Sequence, residues 1–111
     1  MIAINESLLD EMTAVIVQEV DPEAIVLFGS YATGQATPDS DVDLLVIEAD
    51  PFGPGRDRCQ EMVKLWRALA RFGVAKDILV YSRGEVEHWR NARNHVIAKA
   101  LREGKVLYGR L

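Results

Sequence analysis

Two apolar runs, Ile25 to Phe28 and Leu44 to Ile47, constrain this chain more than any other feature. Each is short, uniformly apolar and bounded by turn residues, the pattern of a strand buried on both faces. The first run stops at Gly29-Ser30. A polar segment with a second glycine, Gly34, and a Pro38-Asp39-Ser40 turn follow. The second run is preceded by two acids, Asp41 and Asp43. The expected order is a strand over 24–29, a short helix near 30–35, a turn, and a strand over 41–48.

Side chains alternate along a strand, so Asp41 and Asp43 share a face while Val42 points into the core. Two carboxylates side by side repel unless a cation lies between them. Mg²⁺ suits such a pair, because it binds through one or two carboxylates plus substrate phosphates and keeps several waters. Glycine at a strand end permits a sharp turn and close backbone approach to a ligand. Ser30 at the head of a short helix adds N–H groups and a hydroxyl that favour an anion such as phosphate. A Gly-Ser pair alone is usually a turn, and an Asp-x-Asp alone is usually a solvated strand start. Joined between two buried strands, they point to phosphoryl or nucleotidyl transfer, where metal neutralises phosphate charge and aligns the attacking and leaving oxygens.

The remainder of the chain reads as scaffold. Residues 5–20 form an expected helix capped by Asn5, with Leu8, Leu9, Met12, Val15, Ile16 and Val20 on one stripe and Asp21-Pro22 as its stop. Tyr31 is expected to pack against the domain. The breaker-rich loop 49–55 reads as a connection, with a lid beside the active strand as the alternative. Over 56–72 a second helix is expected, with Cys59, Met62, Val63, Trp66, Leu69 and Ala70 as its core stripe and Arg56, Arg58, Lys64, Arg67 and Arg71 as a solvated basic face. A third strand over 76–82 opens with Asp77, and Lys76 points away from it. Ser82 and Glu85 have capping-box spacing for a helix over 83–92. His88 on that helix is read as a packing or surface residue. Asn94 is the expected cap of a last helix that stops at Gly104, and 105–108 makes a short edge strand.

The stretch Phe28-Gly29-Ser30, ten residues, then Asp41-Val42-Asp43 with Ser40 before it, resembles the signature of the DNA polymerase β-like nucleotidyltransferase superfamily. More closely, the chain resembles the small minimal nucleotidyltransferases, and its Arg-Glu-Gly-Lys-Val-Leu-Tyr segment is similar to their tails. The resemblance implies an α/β fold, a small mixed sheet with flanking helices, with residues 1–111 as one minimal nucleotidyltransferase domain. It implies Asp41 and Asp43 as metal ligands and catalytic acids, with Asp77 as the third carboxylate, completing the metal site and helping to deprotonate the attacking hydroxyl. Gly29 and Ser30 then bind the nucleotide. The implied cofactor is Mg²⁺, with ATP or another NTP as substrate. The implied partner is a HEPN-family toxin, adenylylated on a hydroxyl by this chain as antitoxin. A non-catalytic antitoxin that occludes its partner, and transfer to a small molecule or an RNA end, stay open, as does self-association into a homo-oligomer.

Composition trims these readings. A net charge of −4 and a sequence pI of about 5.1 argue against stable nucleic-acid binding. The single cysteine, Cys59, allows no intramolecular disulfide, and one Cys with two His makes no zinc framework. No apolar run is long enough to span a bilayer and no signal peptide is evident, so a cytoplasmic location is expected.

Overall fold

The structure, a computed structural model, describes residues 4–111. Helix α1 (Glu6–Val20) starts where the Asn5 side chain accepts the Leu8 N–H at 2.9 Å, as its spacing predicts, and stops at Asp21, whose φ of 46° cannot continue a helix. Strand β1 (Ala24–Phe28), helix α2 (Ser30–Thr33) and strand β2 (Val42–Glu48) follow. Helix α3 (Arg58–Leu69) is extended by one 3₁₀ turn to Phe72, and strand β3 (Lys76–Ser82), helices α4 (Arg83–Trp89) and α5 (Val96–Glu103) and strand β4 (Lys105–Gly109) complete the chain.

The strands form one mixed sheet in the order β3-β2-β1-β4. β1 runs antiparallel to both β2 and β4, while β2 and β3 are parallel. Each face is covered, which is why β1 is buried along its whole length. On one face Ile25, Leu27, Val42, Leu44, Val46, Ile78 and Val80 pack with Met12 and Ile16 of α1 and Leu65 and Leu69 of α3. On the other, Ala24, Val26, Phe28, Leu45 and Ile47 pack with Val86 of α4 and Ile97 and Ala100 of α5. Gly104 joins α5 to β4 at a point where any Cβ would run into the Ala100 carbonyl and the Val26 side chain. No helix among the described residues is long and apolar enough to cross a membrane.

Several details differ from the sequence reading. The buried side of α3 is Leu65 and Leu69, with Met62 and Phe72 partly buried beside them; Cys59, Val63, Trp66 and Ala70 of the expected core stripe are exposed. The helix carries more apolar residues than one face can bury, and Leu65 fixes its rotation. Its cap is Asp57, which accepts the Cys59 N–H, so it starts later than residue 56. Its basic residues also divide: Arg58 reaches the Val80 carbonyl at 2.9 Å and pairs with Glu85, and only Lys64, Arg67 and Arg71 are solvated. Helix α5 is capped by His95, whose Nδ1 accepts the Ile97 N–H at 3.1 Å, in place of Asn94. The Ser82–Glu85 capping box is formed as expected. Tyr31 packs against the core and His88 is exposed.

Candidate active site

The sheet's connectivity gathers the expected site residues at one end. Because β1 and β2 are antiparallel, the last residue of β1 lies beside the start of β2: Phe28 is the register partner of Asp43. Because β2 and β3 are parallel, the start of β3 falls at the same end, and Asp43 is the register partner of Asp77. The faces agree as well. Val42 and Ile78 belong to the α1/α3 core, so Asp43, one residue after Val42, and Asp77, one residue before Ile78, point to the α4/α5 side. Asp41 stands two residues before Asp43 on the chain, and both Asp41 and Asp77 are exposed.

The electrostatics mark this end as unbalanced. Burial, then the Asp77 charge, then the Asp41 charge hold the Asp43 carboxyl above its ordinary value of 3.8. Among the described residues no Lys, Arg or His forms an ion pair with any of the three. Lys76 is buried on the opposite side, its ammonium 5.4 Å from the Trp66 ring centroid and donating to the Val74 carbonyl at 2.8 Å.

Gly29 explains how the bend meets the acids. Its backbone, φ 73° and ψ −155°, lies in a region only glycine occupies without strain, and an added Cβ would overlap the Asp43 carboxylate. The Gly29 carbonyl accepts the Ala32 and Thr33 N–H groups, which starts α2 and leaves the Ser30 and Tyr31 N–H groups as its unused first-turn donors. Gly34 closes the helix in the left-handed conformation. In the turn ahead of Asp41, the Ser40 hydroxyl accepts the Thr37 N–H at 2.9 Å. Sequence alone did not reveal that Gly29 is needed for contact with Asp43 as well as for the turn; that requires the strand register.

The carboxylates are hard oxygen donors, which suits Mg²⁺ or Mn²⁺ over softer metals. Among the described residues no three acids, histidines or cysteines close on a point tightly enough to cage an ion unaided. Asp41, Asp43 and Asp77 thus lie at one end of the sheet without forming a three-carboxylate cage. The loop after β2 lies at the other end of the sheet, some six residues of strand or about 20 Å from Asp43. It is a connection and not a lid.

Fold and site together define a small α/β protein with a glycine bend and an aspartate cluster sharing one sheet end. The chain belongs to the Polymerase beta, Nucleotidyltransferase family, whose pattern matches residues 10–110, and it is a nucleotidyltransferase. It is 34% identical over 87 residues, 76% of each chain, to a candidate protein adenylyltransferase of Methanocaldococcus jannaschii. Among solved structures it is similar to a chain of a toxin–antitoxin complex with AMP-PNP, at 25% identity and a TM-score of 0.58, covering 91% of this chain and 73% of that one. It is also similar to a candidate minimal nucleotidyltransferase, at 29% identity and a TM-score of 0.57, covering 90% and 92%.

Proposed function

We propose that this chain transfers a nucleoside monophosphate, AMP for preference, from an NTP to a hydroxyl of a partner HEPN-family toxin, and so acts as its antitoxin. The observation that carries the reading is the register of Asp43 with Asp77 beside the Gly29 bend. Support for the acceptor class comes from the adenylyltransferase relative and the toxin–antitoxin neighbour.

Asp41, Asp43 and Asp77 would hold Mg²⁺, which when bound offsets phosphate charge and orients the reacting oxygens. The Ser30 N–H and hydroxyl would orient the phosphates against the bend, and Gly29, lacking a side chain, lets them approach the Asp43 carboxylate. Asp77, exposed at the start of β3, would accept the proton of the incoming hydroxyl as its oxygen attacks the α-phosphorus and pyrophosphate leaves. Phosphate positioning and charge neutralisation carry most of the rate in this class of reaction.

The test incubates the chain and the HEPN protein with ATP labelled in the α-phosphate and Mg²⁺. Label should appear on the toxin with wild type and fall at least ~10³-fold with Asp41→Asn/Asp43→Asn. Equal labelling by wild type and variant would refute the transferase. Growth rescue by the double variant would instead favour inhibition by occlusion.

A further inference from the structure

The helix layer opposite the acids has an outer surface that nothing in the fold employs. Here α1 and α3 lie side by side and run in opposite directions, since α1 leads to the start of β1 while α3 leads back towards the start of β3. The exposed side of α1 is acidic, with Glu11 and Glu19. The exposed side of α3 is basic, with Lys64, Arg67 and Arg71. Among the described residues none of these charges forms an ion pair within the chain. A groove between the two helices is lined by Glu19, Val63, Lys64 and Arg67. Val63, 47% exposed, lies within it, while Trp66 is turned towards Lys76 of β3.

This surface is self-complementary in one arrangement. A two-fold axis parallel to the helices, between α1 and α3, lays α1 of one copy over α3 of the other. Each acidic helix then faces a basic one, twice, and Val63 is covered. An axis across the helices would instead set α1 on α1 and α3 on α3, like charge on like. We propose that the α1/α3 layer is a homodimer interface with the first geometry. The acids point to the α4/α5 side, so both active ends stay open in the dimer. Two helices of about 22 and 18 Å, roughly 10 Å apart, present a smaller patch than the ~800 Å² per partner of a standard interface. The association is therefore weak, reversible and salt-sensitive.

Sedimentation of the whole chain between about 10 and 300 μM tests this. Wild type should show concentration-dependent dimerisation. Lys64→Glu/Arg67→Glu and Glu11→Lys/Glu19→Lys should each weaken it at least ~10-fold, because each sets like charges face to face. An equimolar mixture of the two variants should associate within about threefold of wild type, since both helix contacts are then complementary again. That recovery also shows that both variants are folded. A wild type that stays monomeric throughout, variants that dimerise as wild type does, or a mixture that fails to recover would each overturn the proposal.

Discussion

Both ends of the sheet carry carboxylates, but only one end has the arginines to match. At the far end, Glu48 finishes β2 with its side chain buried and paired with Arg56 at 3.2 Å. Arg56 also contacts Glu61 at 3.6 Å, donates to the Asp50 carbonyl at 3.1 Å and lies 4.4 Å from the Phe52 ring centroid. Arg58 lies between the Phe52 and Tyr81 rings and pairs with Glu85. Burial pushes Glu85 up, but Arg58 and the Ser82 N–H outweigh it and leave the carboxyl below its usual range. At the other end, Asp41, Asp43 and Asp77 form no ion pair with a cation among the described residues. At one end arginines hold the carboxyls in place, although burial and Glu61 still raise the Glu48 pKa. Their lack at the other leaves a deficit that an outside cation and its ligands can fill.

The strongest way to break this contrast is Gly29→Ala. A side chain there meets both an unfavourable φ and the Asp43 carboxylate, so a loss of about 2–4 kcal/mol in urea unfolding is expected, together with loss of transfer. A near-neutral effect would mean that the bend does not touch the acids. Next comes Glu48→Gln. Burial, then contact with Glu61, raise the Glu48 pKa from 4.5 to about 7 despite Arg56, so the folded state takes up protons there. Wild-type stability should therefore fall as pH rises from about 4.5 through 7, and the glutamine variant should flatten that slope by about 1 kcal/mol per pH unit in thermal melts. An unchanged slope would place the far-end compensation elsewhere.

The smallest effect sharpens the contrast most. Asp43→Asn removes a carboxylate whose folded pKa is raised, so metal-free protein should melt about 2 °C higher at neutral pH. The gain should disappear as pH falls below the ordinary value of 3.8. Added Mg²⁺ and ATP should raise the melting temperature of wild type alone. A variant that is less stable than wild type in chelator would show that Asp43 is satisfied within the fold.

How much of this was readable from residues depended on the range of the signal. Asn5 and Ser82 with Glu85 act within a few positions, and each cap formed where its spacing put it. Asp41, Asp43 and Asp77 stand out in the sequence because each heads an apolar run, and a strand start is a local mark. The rotation of α3 was missed because Trp66 and Val63 are as apolar as Leu65, and only the sheet beneath decides which are covered. The cap of α5 was missed by one position, because Asn94 and His95 both have the chemistry. The register that sets Asp77 beside Asp43 depends on strand direction, which no local pattern encodes, whereas the loop's distance from the acids follows from the length of β2 alone.

That distance has a practical consequence. Residues 49–57 cross the end of the sheet farthest from Asp43, and the backbone there bonds mainly to itself, with Gly53 and Arg56 exchanging hydrogen bonds at 3.0 and 2.9 Å. Extra sequence grafted at Pro54-Gly55 would hang from the molecule like a handle. A fluorophore or affinity tag placed there would report on the protein or tether it at the end of the sheet away from the aspartates and the glycine bend.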